Sequence, residues 1–426
     1  KPAPFSKENV PYKPAHWLPV QPLGVKEGDL VFVVGYPGRT QRHQTYAEVK
    51  ETTEWAFPRF VRAAEEQIAI LEELGKTDPE LKIKASGRVR GLNNSLTNRK
   101  GQIDGLVKGG ILARKEANEK ALAAWIAADP ARQKEYGDVL PALAALQSES
   151  EKTRERDAVF QSLFSSSSML NAAHSAHLFS LERARKNDMD REPEYQERNW
   201  TRIREGQERA QRTVDARLDK ALLAWSMARA AALPADQRIT GLDKLAGLTP
   251  GMTKADSDRA IAAYLERALA STRMADKDFR LGLLGKTTAE IAAAKDPVVD
   301  LALALDPLYQ QNRELTKKRQ GALARLRPRY MQALLAQAGG LVAPDANSTL
   351  RVTFGTVKGK LAADGTAWTP FTSLRGIEQK HTGKGEFDAP DAELGAIAAL
   401  RAGKTTPYAL PAIADVPVNF LSTVDT

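Results

Sequence analysis

The chain has 426 residues, 42% hydrophobic and 27% charged, with 62 basic and 53 acidic residues giving a net charge of +9. Those proportions are ordinary for a soluble globular protein long enough for two or three domains. The basic excess is small and the signs are interspersed, which describes a solvated surface and not a nucleic-acid groove. No apolar run reaches the roughly 18 residues of a membrane span, and the absence of Cys excludes disulfides and thiolate metal sites within these residues.

Residues 1–4 (KPAP) read as the middle of a longer polypeptide and not as a natural start. Prolines at 2, 4, 11, 14, 19 and 22 make an extended connector. An apolar run at 30–34 (LVFVV) then reads as a strand, closed by a turn at 35–38 (GYPG). A continuous apolar strand needs cover on both faces, and its partners are expected upstream of residue 1.

From 46 to 337 the sequence is nearly continuous helix-type. Helical periodicity predicts spans at 57–75, 79–128, 141–164, 169–187, 192–233, 256–275 and 308–338. The longest, 192–233, places Trp200, Ile203, Val214, Leu218, Leu222 and Trp225 on one stripe, with Pro193 in its first turn and Pro234 ending it. The segment 79–128 is unusual, because Gly87, Gly91, Gly101, Gly105, Gly109 and Gly110 interrupt it. Each interior glycine costs about 1 kcal/mol relative to alanine, so the repetition predicts close packing, a break, or a backbone that approaches something. In its middle stand Asn93, Asn94 and Asn98. Asn is a poor interior helix residue, so this is either a capping or kink segment or a functional site.

A serine run at 165–168 breaks the pattern. His174 and His177 share a helix face and lack the further ligands that a metal site needs, so they read as packing or surface histidines. Asp296-Pro297 and Asp306-Pro307 read as further breaks, and the basic cluster at 325–329 as a solvated helix end or ion-pair network. After Gly339-Gly340 the period changes to two: Leu350, Val352 and Phe354 alternate with Thr349, Arg351 and Thr353, as in a half-buried strand. β character continues to 361, Asp364-Gly365 is a turn, 389–400 reads as one short helix, and 416–423 is a last extended run that stops without a partner. Strand sequence thus brackets a helical block, which predicts a helical insertion into a β domain whose other strands lie outside these residues. No phosphate loop, nucleophile elbow or paired-His zinc helix is present.

Three stretches carry a resemblance: 29–40 (DLVFVVGYPGRT), 91–95 (GLNNS) and 419–426 (NFLSTVDT), supported by 5–14 (FSKENVPYKP) and 353–359 (TFGTVKG). With these, the chain resembles the bacterial serine dipeptidyl peptidases of the seven and eleven types, in order and over its whole length. The resemblance implies a mainly α chain whose large helical domain is inserted between the two β-barrel halves of a chymotrypsin-like serine peptidase. The implied boundaries are 1–42 for the end of the first barrel region, 43–340 for the helical cap, and 341–426 for the start of the second. The implied activity is release of dipeptides from the free N-termini of oligopeptides by acyl transfer to a serine. The family's catalytic His and Asp would lie upstream of residue 1, and its Ser beyond Thr426 in a Gly-Asn-Ser-Gly stretch. No triad residue is therefore assigned in this chain, which by itself is expected to be inactive.

One family feature maps onto these residues. An asparagine of the helical domain that receives the substrate's N-terminal ammonium matches Asn94, with Asn93 beside it bracing the turn. An amide oxygen accepts from an ammonium without adding a charge of its own. The resemblance further implies no metal or other cofactor, no nucleic-acid partner, a homodimer, a periplasmic or secreted location, and hinge movement about 39–46 and 339–345. The alternative is a non-enzymatic helical scaffold or partner-binding module.

Overall fold

The computed structural model of the protein describes residues 8–424. The expectations for residues 1–7 and for the chain end at Asp425-Thr426 lie outside the described residues. The chain is mainly helical, as the periodicity predicts, and divides into two units: His43–Ala343, and the flanking residues on either side of it.

The helical unit begins with α1 (Tyr46–Glu51). Thr45 and Glu48 form a reciprocal capping box at its start, each side chain accepting the other's backbone N–H. A π-helical turn, Thr52–Ala56, leads into α2 (Phe57–Thr77), where Pro58 has no N–H to offer the preceding turn. Next come α3 (Pro79–Lys108), α4 (Ile111–Ala127), α5 (Pro130–Tyr136), α6 (Val139–Glu151), α7 (Arg154–Ser166) and α8 (Ser168–Arg183). They are followed by α9 (Trp200–Ala210), α10 (Ala216–Ala231), α11 (Thr240–Ala246), α12 (Lys254–Ser271), α13 (Lys277–Leu283), α14 (Thr288–Ala292) and α15 (Pro297–Ala338).

Asp-Pro pairs start three of these helices. Asp78, Asp129 and Asp296 each accept the N–H groups two and three residues on, and the following Pro fills the first helical position, where a missing N–H costs nothing. The expected break at Asp306-Pro307 is not formed. The pair lies inside α15, a helix of 42 residues, roughly 63 Å long. The Asp306 carboxylate is bonded to His174 and His177 of α8 and caps no new helix.

The rod expected over 192–233 is also not formed. Pro193–Tyr195 and Glu197–Asn199 are single 3-10 turns, α9 follows, and the chain turns again before α10. Asp215 is the cause: its carboxylate accepts the Arg217 N–H and caps α10 as a separate helix. The apolar stripe runs through the turn because Val214 is buried in the same core as the helices around it. The expected helix over 79–128 likewise divides, at Gly109-Gly110, where Gly110 has a left-handed φ of +60°.

The main core joins α7, α8, α10 to α14 and the N-terminal half of α15 around Leu163, Met169, Met227, Leu242 and Leu305. A second core packs α4, α5 and α6 on the C-terminal half of α15 through Tyr136, Leu143 and Tyr330. A third holds α2, α3 and α10 together through Leu71, Leu81 and Leu222. α15 is therefore the spine shared by the first two. Its basic cluster forms ion pairs, Arg327 with Glu48 and Arg329 with Asp138, in mid-helix and not at a helix end.

In the other unit, β1 (Leu30–Gly35) pairs antiparallel with β2 (Arg351–Thr356), Phe32 opposite Phe354 and Val34 opposite Val352. A partner for the first strand is thus found inside the chain. β3 (Lys360–Ala363) and β4 (Thr366–Trp368) form a hairpin, with Gly365 at φ +70° in its turn. β5 (Phe371–Ser373) leads into α16 (Leu374–Lys380), and after α17 (Asp391–Arg401) the strand β6 (Pro417–Phe420) returns to pair with β5. The last extended run therefore has a partner too. It continues past β6 to give Thr423 N–H to Thr356 O, close against Gly355, where an added Cβ would lie 2.6 Å from Thr423 Oγ1.

The alternation in β2 was expected to bury Leu350, Val352 and Phe354, and the reverse is found. Arg351, Thr353 and Gly355 are half-buried, while Phe354 is 74% and its partner Phe32 65% exposed. Among the described residues nothing covers this apolar face.

Candidate functional site

α3 carries the asparagines that the sequence singles out. The helix is continuous through Gly91 and Asn98, so no cap is formed there and there is no turn for Asn93 to brace. Its inward face is fixed firmly. Leu81 and Ala85 are buried, Val89 and Leu92 pack beside them, and Arg88 Nη2 donates to Gln67 Oε1 at 2.7 Å. Arg99 lies over the Phe57 ring, 4.4 Å from its centroid, and Lys100 pairs with Glu65 at 2.6 Å. These contacts to α2 set the rotation of α3 and hence which side chains point away.

The outward face has an unusual composition. Gly87, Gly91, Asn94, Asn98, Gly101 and Gly105 follow one another at steps of four and three and are all exposed. At 100° per residue they fall within an arc of about 80°. A Cβ added to any of the four glycines would meet nothing within 4 Å. Close packing inside the described structure therefore does not explain them, and the helix is unbroken. Asn98 Oδ1 accepts from Gln102 Nε2 at 2.6 Å, whereas neither Asn93 nor Asn94 has a side-chain hydrogen-bond partner among the described residues. Asn94 lies in the middle of the glycine stripe, and Asn93 lies about 100° round the helix from it. The spacing was readable in the sequence: Gly at 87, 91, 101 and 105 with Asn at 94 and 98 is a seven-residue repeat of small and amide side chains.

His174 and His177 do share a face of α8, and it points inward. Each Nε2 lies 3.3 Å from one oxygen of Asp306 on α15. An ionised carboxylate only accepts, so both imidazoles act as donors. Phe164 and Tyr309 pack on His174 with ring centroids 4.5 Å away. Burial pushes the Asp306 carboxyl up, but the bonds from His174 and His177 more than offset it and hold its pKa well below the usual carboxylate range. The triad ties two long helices together. No cluster of His, Asp or Glu among the described residues is arranged to hold a metal ion.

A groove of about 690 Å³ between α6, α7 and α15 is a further concavity of the helical unit. Acidic and basic side chains line it in equal number, and Arg313 in its wall bridges Glu182 and Glu192. It therefore has no net charge with which to select an ionic ligand, and it contains none of the residues singled out by the sequence.

The sequence profile of the peptidase S46 family matches residues 1–426. The chain belongs to that family. It is 31% identical over 452 residues to an Asp/Glu-specific dipeptidyl-peptidase of Shewanella putrefaciens, an alignment covering 100% of this chain and 59% of the relative. It is 27% identical over 403 residues to dipeptidyl-peptidase 7 of Capnocytophaga gingivalis, covering 91% of this chain and 53% of the relative. The chain thus spans little more than half the length of these two relatives. Among solved structures, that of Porphyromonas endodontalis DPP11 in complex with the dipeptide Arg-Glu superposes with a TM-score of 0.73 at 23% identity, covering 100% of this chain and 58% of that one. At that identity the match establishes a shared fold.

Proposed function

We propose that this chain contributes the helical unit and its flanking β segments to a serine-type dipeptidyl aminopeptidase, and that α3 presents Asn94 to the free amine of a peptide substrate. The observation that carries the reading is the bare face of α3. Glycine leaves room for an extended backbone to lie along the helix, and Asn94, in mid-stripe, offers an unoccupied amide oxygen to an ammonium N–H. Holding the terminal amine at a fixed place determines how many residues reach the cleavage point, which makes the helical unit a length gauge. Asn93, on the neighbouring arc, is placed to assist from the side.

In this reading the helical unit is an insertion between the two halves of a chymotrypsin-like double β-barrel, with the barrel regions at 1–42 and 341–426. The open apolar face of β1 and β2 supports it, since bare Phe and Val on a two-stranded pair call for further strands or a second layer. Pivots at 39–46 and 339–345 belong to the same proposal, as do a homodimer and a periplasmic or secreted location; the last two rest on family resemblance alone.

The test is release of fluorophore from dipeptidyl substrates by the full-length protein. Relatives named both as Asp/Glu-specific and as dipeptidyl-peptidase 7 match this chain, so the panel needs acidic and non-acidic second residues. Cleavage of free-amine dipeptidyl substrates, with none of their N-acetylated forms, is the expected result. No release from any of them favours the scaffold alternative.

A further inference from the structure

The two chain segments that lead into and out of the helical unit are bonded to one another along their length. On the strand side, Asp345 Oδ1 accepts from Thr40 Oγ1 at 2.8 Å and from the Arg42 N–H at 2.6 Å. Thr40 Oγ1 in turn accepts the Ala346 N–H at 2.8 Å, and the Thr40 N–H reaches Ala346 O. Ser348 closes this end: its N–H bonds to Pro37 O at 3.0 Å, and it takes a left-handed φ of +64°, a conformation a non-glycine residue holds only when its surroundings impose it. On the helical side, His43 Nε2 lies 2.7 Å from Ala343 O, and Arg327 donates to His43 O while pairing with Glu48.

We infer that Asp345 is a clasp that joins residues 37–43 and 343–348 into one laced, two-stranded ribbon, so that the two crossings bend together and not as independent linkers. Two free linkers would each bring their own φ and ψ freedom to the junction. Cross-linking by one carboxylate and one hydroxyl removes most of it, because a twist in either segment must break a bond to the other. Asp345 holds this place because a carboxylate accepts several N–H and O–H donors at once. The Thr40 hydroxyl and the Arg42 N–H reach the same one of its oxygens.

Trypsin reports on it directly, since Arg39 and Arg42 lie on one of the two segments and are exposed. Cleavage there requires the ribbon to open, and its rate follows the population of the open form. In the full-length protein, Asp345→Ala is expected to accelerate cleavage after Arg39 and Arg42 about tenfold, mapped by mass spectrometry, with other sites unchanged. Thr40→Val removes the hydroxyl from the opposite segment and is expected to match it. Asp345→Asn keeps an acceptor oxygen and is expected to stay within about threefold of wild type. Wild-type rates in both Asp345→Ala and Thr40→Val, or an acceleration spread evenly over the chain, overturns the inference.

Discussion

Substituting the α3 glycines separates a face built for approach from one that is merely tolerated. The double variant Gly91→Ala/Gly101→Ala places two methyl groups where nothing lies within 4 Å, on residues whose φ is ordinary for a helix. With no clash, each should stabilise the exposed helix by about 0.5–1 kcal/mol. The sites are ten residues apart, roughly 15 Å along the axis, so the two gains should add to about 1–2 kcal/mol. For a unit of this size that corresponds to a rise in Tm of roughly 1.5–3 °C by scanning calorimetry. If peptide backbone lies along the same face, the methyl groups hold it off, and KM for dipeptidyl substrates rises several-fold while stability increases. A fall in Tm would show that something already occupies the face. A higher Tm with unchanged KM would remove the substrate from it.

Asp306→Ala leaves two buried imidazole N–H groups without an acceptor, at a cost of about 2–4 kcal/mol, read as a drop in unfolding midpoint; Asp306→Asn, which keeps one oxygen, should cost less than half as much. Because the folded-state pKa of Asp306 lies below the unfolded value of about 3.9, its contribution is complete above that value and fades as pH falls through the folded one. The gap between wild type and Asp306→Asn should therefore narrow below about pH 4, and a constant gap would show that the carboxylate is not specially stabilised. Phe354→Asp in the full-length protein tests the cover proposed for the β1–β2 face. A loss of about 2 kcal/mol or more is expected if further strands bury that ring, whereas a loss under about 0.5 kcal/mol, usual for a surface site, would leave the face open.

The parts of this fold that are local in origin were legible. Helical period and the break at Asp296-Pro297 located most of the block, because capping and propensity act within a turn or two. The errors arose where one local signal was read without its distant partner. Asp215 ends the apparent rod because it caps α10, a role the apolar stripe conceals by running on through Val214. Asp306-Pro307 has the same letters as Asp296-Pro297, yet it continues a helix, and its carboxylate is held by His174 and His177, far away in sequence. Pairing of β1 with β2 joins residues about three hundred positions apart, and neither the partner nor the inward face can be found from alternation alone. The asparagine site was flagged by cost, three Asn among glycines, while its geometry, one open stripe centred on Asn94, follows only once α2 fixes the rotation of α3.

The most direct measurement is steady-state kinetics of Asn94→Ala in the full-length protein. A hydrogen bond to a charged ammonium contributes about 1.5–3 kcal/mol, so kcat/KM for free-amine dipeptidyl substrates should fall about 10- to 150-fold, mostly through KM. The side chain is exposed, on a helix, and unbonded among the described residues, so Tm should stay the same or rise slightly. Wild-type kcat/KM in a folded Asn94→Ala protein would contradict the account.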